Sequence, residues 1–208
     1  MNNGELVGLV ETIRSIAGHN GVNQATLDRL KKNPVVPNQL LDKYFKSDRQ
    51  LAETLLIEEQ EQFEKIFKEY NFENDNAIDI LFTVSKEIAD NFYKYSPALT
   101  QHFRELYPDI YNQYLNNRIE FIYDKIQINL KKGIWQRLYR NDLSIELIAR
   151  RYISRLIDLY NPENFPPEQL SFNTLFHQMI ENFVKSIATE KGMKYWCQKK
   201  EIFGFQVK

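Results

Sequence analysis

The chain of 208 residues is 43% hydrophobic and contains seven glycines, seven prolines and one cysteine. So few turn formers exclude a loop-rich β fold or a disordered chain, and the lone Cys197 excludes an internal disulfide or a cysteine-based zinc site. The 27 basic and 28 acidic residues nearly balance, so the net charge does not indicate a class of binding partner. Because no apolar run approaches the roughly 18 residues that cross a membrane and no signal segment opens the chain, we expect a soluble cytoplasmic protein.

Apolar residues recur at helical spacing along nearly the whole chain. The pattern predicts a first helix at about 6–18, a second that begins at the N-cap Thr26, and a third that begins near Pro37. Further helices are predicted at about 47–70, 77–95, 98–107, 109–132, 144–160 and 168–189. The fold class is therefore all-α, with a three-helix helix-turn-helix head (residues 1–46) on a larger C-terminal helical bundle (residues 47–208), about nine helices in total.

Individual residues of the head match a known signature. The match covers the stretch Gly21–Thr26, the apolar positions Leu27 and Leu30 of the second helix, the third-helix positions Val36, Leu41, Tyr44 and Phe45, and the exit Lys46–Leu51. In the body, Gly133–Leu143 matches a connector that precedes the penultimate helix. On these residues the chain resembles the tetracycline-repressor (TetR) family of bacterial transcription regulators.

The resemblance implies a dimeric regulator, acting as a repressor, that binds a double-stranded DNA operator and responds to a small molecule. Residues 1–49 carry seven Lys/Arg against five acids, so the head is slightly basic. Lysines there can hold phosphates, and amide side chains can pair with adenine. The candidate DNA-binding residues are Thr26, Lys31, Lys32, Asn38, Gln39, Lys43, Tyr44 and Lys46.

The head also departs from the family pattern at three places. Pro34–Pro37 replaces the usual Ala-Gly-Val-Ser between the second and third helices, and Lys31 stands where a small residue usually packs. Asp42 occupies the position of a tyrosine that meets the DNA backbone, and a carboxylate beside phosphates is repulsive. The alternative is therefore a degenerate member that no longer binds DNA and serves as a helical ligand-binding or protein-interaction module.

The body is rich in aromatic residues between about 77 and 132. Bundle interiors commonly hold small-molecule sites, and a buried tyrosine hydroxyl needs a partner that a ligand can supply. We expect a small apolar or aromatic effector in this region; the candidate ligand-binding residues are Phe92, Tyr95, Phe103, Tyr107, Tyr111 and Tyr114. The alternative is a solid aromatic core.

The last two long helices, at about 144–160 and 168–189, carry apolar residues beyond one stripe. A helix that is apolar on two sides must bury both, so the pattern predicts a homodimer through these helices. The three histidines lack metal-ligand spacing, and no catalytic or phosphate-loop motif is present. We therefore expect no enzyme, no catalytic residues, no metal and no cofactor.

Overall fold

The computed structural model describes residues 3–91, 97–159, 164 and 171–203. Within these residues the chain is all-α, which confirms the predicted fold class. The helices are α1 (Asn3–Asn20), α2 (Leu27–Lys31), α3 (Asn38–Tyr44), α4 (Asp48–Glu69), α5 (Ala77–Asn91), α6 (Pro97–Leu106), α7 (Pro108–Trp135), α8 (Ile145–Asp158), α9 (Phe172–Ile187) and α10 (Glu190–Phe203). A 3₁₀ turn, Val22–Gln24, follows α1.

The described residues divide into two compact units. The first lies within Met1–Ile66 and Asp90–Arg118, and the second within Phe67–Ala89 and Ile119–Lys208. The first unit thus holds α1–α3, most of α4, α6 and the beginning of α7. The second holds nearly all of α5, the rest of α7 and α8–α10.

The first unit is built around the three predicted short helices. Leu30 of α2 and Leu41 of α3 are fully buried together with Ile13 of α1, which makes one apolar cluster of the helix-turn-helix. Gly21 has φ 93°, a left-handed conformation that suits glycine, and it turns the chain out of α1. Helix α1 therefore ends just before this glycine, two residues beyond the predicted end near residue 18.

The side chain that caps α2 was not predicted. Thr26 occupies the N-cap position, but its side chain makes no capping hydrogen bond. Instead the Leu27 amide donates to Asp48 Oδ1 at 2.6 Å, so the first residue of α4 caps α2. Ser47 caps α4 itself, because its hydroxyl accepts from the Gln50 amide at 3.1 Å.

The second unit has its own core, in which Phe82 meets Trp196 and Tyr152 meets Phe183, each pair edge to face. Helix α7 runs through Gly133 to Trp135 rather than ending at the glycine. A Cβ on Gly133 would lie 2.0 Å from the Tyr139 ring, so this position needs glycine for close packing and not for a helix end.

The tail forms a tenth helix that was not predicted. Trp196 of α10 is buried, and a Cβ at Gly192 would lie 2.1 Å from the Leu138 carbonyl oxygen. On its polar side, Lys199 pairs with Asp79 and Lys200 with Glu181, both at 2.7 Å. None of the described helices is long and apolar enough to span a membrane.

Candidate nucleic-acid interface

Most of the predicted DNA-binding residues of the helix-turn-helix are exposed. Helix α3 buries Leu41 and leaves Asn38, Gln39, Asp42 and Lys43 exposed. Outside that group, Lys31, Lys32 and Lys46 are exposed, while Thr26 and Tyr44 are partly buried. The amides near the start of α3 and the four candidate lysines are therefore accessible, as contacts to DNA require.

Asp42, which was expected to repel phosphates, has a partner inside the head. Its carboxylate lies 2.7 Å from the Lys31 ammonium, and the hydrogen bond from Lys31 lowers the pKa of Asp42. The Lys46 ammonium donates to the Asp42 backbone carbonyl. The departures at Lys31 and Asp42 are therefore two halves of one ion pair.

A second carboxylate, Glu5 of α1, holds two of the candidate contacts. The Lys43 ammonium donates to Glu5 Oε2 at 2.6 Å, and the Tyr44 hydroxyl donates to the same oxygen at 3.2 Å. The hydrogen bond from Lys43 lowers the pKa of Glu5, and the same bond raises the pKa of Lys43. Nothing in the sequence indicates this contact, because Lys43 and Glu5 are 38 positions apart.

Lys32, the residue that follows α2, is also paired, because its ammonium lies 2.7 Å from Asp28 Oδ2. Three of the four candidate lysines are therefore compensated by nearby carboxylates. Lys46 makes no ion pair within the described residues, because its ammonium donates to the neutral Asp42 carbonyl. Arg29, which sequence reasoning passed over, is exposed on α2 and makes no ion pair within the described residues.

A buried charged cluster in the first unit surrounds Glu59 of α4. Glu59 lies 3.2 Å from Arg14 of α1 and 3.4 Å from Arg118 of α7. It also accepts hydrogen bonds from the Tyr114 hydroxyl at 2.7 Å and from Thr100 of α6 at 3.2 Å. One carboxylate thus joins α1 of the head to α4, α6 and α7 within the first unit.

Two of the candidate ligand-binding residues, Phe92 and Tyr95, lie outside the described residues. Phe103 and Tyr114 are buried in the same apolar cluster as the head. The Tyr114 hydroxyl already has partners, because it donates to Glu59 and accepts from Arg118 at 2.8 Å. The aromatic side chain of Tyr114 therefore fills the core, and its hydroxyl does not need a ligand.

The other two ligand candidates, Tyr107 and Tyr111, are only partly buried. Their hydroxyls make no hydrogen bond within the described residues, and burial raises the pKa of both. Neither hydroxyl is among the buried polar atoms that lack a partner in the described residues, so each is open to water or to a ligand.

A groove that was not predicted lies on the second unit, between α7 and α8. It encloses about 550 Å³ and is lined by Ile119, Glu120, Tyr123, Arg150, Ile153, Ser154, Ile157 and Asp158. The Arg150 guanidinium lies 5.5 Å from the centre of the Tyr123 ring. The groove combines apolar walls with charges of both signs.

Most of the apolar residues that predicted dimerisation are buried inside the second unit itself. On α8 these are Ile148, Tyr152 and Ile153, and on α9 Phe176, Met179, Ile180, Phe183 and Val184. Leu147 and Ile157 of α8 remain more than two-fifths exposed, whereas no large apolar side chain of α9 does. The predicted dimer through both helices remains a prediction.

No family model matches the sequence, and no curated protein is similar to it in sequence. Among solved structures, the SmeT–triclosan complex has a TM-score of 0.66 at 9% identity and covers 88% of this chain and 91% of its own. TylP, a TetR regulator from Streptomyces fradiae, has a TM-score of 0.56 at 14% identity, over 88% of this chain and 86% of its own. The chain has the fold of TetR regulators. The ketosteroid regulator KstR2 of Mycobacterium tuberculosis shares this fold, with a TM-score of 0.57 at 15% identity, over 91% of this chain and 96% of its own.

Proposed function

We propose that this chain is a DNA-binding transcription regulator whose helix α3 reads the major groove. The observation that carries the proposal is the exposed face of α3, which presents Asn38 and Gln39 at its start and Lys43 near its end. Amides pair with adenine edges and lysines hold phosphates, so this face has both kinds of contact that specific binding needs.

The carboxylates of the head are expected to make its affinity for DNA lower than that of a typical regulator with this fold. Lys31, Lys32 and Lys43 must exchange Asp42, Asp28 and Glu5 for phosphates before they contribute to binding. Intramolecular pairing of this kind also favours the second candidate, a helical ligand-binding or protein-interaction module that has lost DNA binding. The two functions can be distinguished by whether the protein selects a particular DNA sequence from a random library.

In-vitro selection from a library of random-sequence duplexes tests the proposal. We expect enrichment of a near-palindromic site, because a two-fold dimer presents two copies of α3. Lys43→Gln should weaken binding to the enriched site, whereas Lys191→Gln, which removes an exposed positive charge from α10, should leave it unchanged. Failure to enrich any sequence at low salt would favour the interaction module.

The regulator that we propose is a homodimer and responds to a small apolar or aromatic effector. Support for the effector comes from Tyr107 and Tyr111, whose hydroxyls have no partner among the described residues. A thermal-shift screen tests this part, since a ligand at 100 times its dissociation constant stabilises a protein by about 2.7 kcal/mol. Tyr111→Phe should reduce the shift produced by a hit that bonds this hydroxyl, and an unchanged shift would place the effector elsewhere.

A further inference from the structure

The turn between α2 and α3 exposes apolar side chains next to the amides of α3. Val36 is buried in the apolar cluster of the first unit, whereas Val35 before it and Pro37 after it are exposed, Val35 to 69%. Pro37 is the N-cap residue of α3, so Asn38 and Gln39 follow it directly. Two exposed apolar side chains and two exposed amides are therefore adjacent in the chain at the beginning of the helix proposed to read the major groove.

The same turn has no backbone N–H group left to hold a DNA phosphate. Pro34 and Pro37 have no N–H group at all. The Val35 amide donates to the Asn33 side chain at 3.0 Å, and the Val36 amide donates to the Asn33 carbonyl at 3.1 Å. Because a phosphate diester only accepts hydrogen bonds, the turn offers it nothing to bond. The exposed surface of the turn therefore fits an apolar group of the DNA.

The major groove presents one such apolar group, the C5-methyl of thymine. Adenine, which pairs with thymine, presents one donor and one acceptor that an asparagine or glutamine side chain can bond together. Val35 and Pro37 thus suit one half of an A·T base pair, and Asn38 and Gln39 suit the other half.

The side chains that would read a G·C pair are absent or already bonded. Guanine is usually contacted by arginine or lysine, and the amino group of cytosine by a carboxylate. Residues 33–44 contain no arginine. The Asp42 carboxylate is bonded to Lys31 at 2.7 Å, and the Lys43 ammonium is bonded to Glu5 at 2.6 Å. The exposed face of α3 and the turn before it therefore favour A·T over G·C pairs.

We propose that the protein recognises A·T base pairs in its operator half-site, with Val35 and Pro37 against thymine methyl groups and Asn38 and Gln39 bonded to adenine. The inference rests on the proposed function, because it names the bases that α3 reads. The turn with two prolines, which departs from the family pattern, then takes part in base recognition.

Base replacement in the half-site selected from random duplexes tests the inference by fluorescence anisotropy. Replacing a contacted thymine with deoxyuridine removes only the methyl group, so the affinity should fall about threefold to fivefold, as expected for one buried methyl group. Replacing the whole A·T pair with G·C should lower the affinity at least about fivefold. Both changes are made in the DNA, so they leave the fold of the protein unaltered.

Protein variants assign the methyl contact to the turn. The double variant Val35→Ser/Pro37→Ser should bind thymine and deoxyuridine duplexes equally, because it has no apolar surface for the methyl group. Serine is a preferred N-cap residue, so the change at position 37 should not weaken α3. Ile57→Ser, which removes a 51% exposed apolar side chain from α4, is the matched control and should keep the full response to deoxyuridine.

The outcomes separate this inference from the proposed function. A selected half-site made of G·C pairs, or one whose affinity stays constant as each thymine in turn becomes deoxyuridine, would overturn the inference and leave the proposed function standing. An equal response to deoxyuridine in the wild type and in the serine double variant would also overturn it. Selection of no sequence at all would contradict the proposed function and the inference together.

Discussion

Replacing Glu59 with glutamine should strongly destabilise the first unit. Glu59 is 7% exposed and is the shared partner of Arg14 and Arg118. Glutamine keeps the shape of the side chain but removes the charge, so two largely buried guanidinium groups lose their counter-ion. Removing one member of a buried pair typically costs about 3–5 kcal/mol, because the charge left behind is no longer compensated.

For a chain of this size each kcal/mol lowers the melting temperature by roughly 2–4 °C, so the expected fall is about 6–20 °C. Thermal unfolding followed by circular dichroism at pH 7 measures it. A melting temperature within about 2 °C of wild type would refute the view that this cluster stabilises the first unit.

Glu58 provides a matched control, because it precedes Glu59 on α4 and is also 7% exposed. Desolvation by burial and then the charge of Glu61 raise the pKa of Glu58, although Arg14 lowers it. The folded state therefore binds this proton more tightly than the unfolded state, and stability is lost as the pH rises through the raised pKa. Glu58→Gln should equal or exceed wild type in melting temperature at pH 7, and the gain should disappear toward pH 4. Equal losses for both variants would assign the effect to burial rather than to the ion pairs.

Three further changes test separate contacts. Gly133→Ala should cost about 1–3 kcal/mol in urea unfolding because its Cβ would meet the Tyr139 ring, whereas Gly8→Ala, at an open position in α1, should be neutral or stabilising. Tyr114→Phe should lower stability by about 1–3 kcal/mol, since the Glu59 carboxylate loses a buried donor; an unchanged unfolding curve would contradict this bond. Asp42→Asn should release its lysine partner and tighten binding to duplex DNA in fluorescence anisotropy, and no gain would show that α3 docks differently or not at all.

The sequence predicted nine of the ten described helices because their apolar residues repeat at 3.6-residue spacing. Helix α10 was not predicted, because few apolar residues mark its buried side and nothing in the sequence indicates that Lys199 and Lys200 make tertiary contacts. Their partners, Asp79 and Glu181, are distant in sequence. Gly133 was misread as a helix end, since a glycine required by a close tertiary contact looks the same in sequence as one required by a turn.

The exposed residues of the candidate site were predicted, but their pairing was not. The spacing of apolar residues predicts which face of α3 is exposed. The contact of Lys43 with Glu5 depends instead on how α1 packs against α3. The same holds for Arg14 and Glu59, which lie 45 positions apart yet form the buried centre of the first unit. Sequence reasoning also treated Asp42 and Lys31 as separate departures from the family pattern, and only their 2.7 Å approach shows that they compensate each other.

Whether the exposed face of the head binds DNA can be measured as the affinity of three proteins for random-sequence duplex DNA across a series of KCl concentrations. These proteins are the wild type, Glu5→Gln and Glu11→Gln. Glu5→Gln frees Lys43 and Tyr44. Glu11→Gln makes the same change of charge at an exposed position of α1 that has no ion-pair partner among the described residues. With two more phosphates neutralised per dimer, Glu5→Gln should bind more tightly, and its plot of log K against log salt should be steeper by about 2. Glu11→Gln should follow the wild type. Absence of DNA binding in all three, or equal curves for all three, would contradict the account.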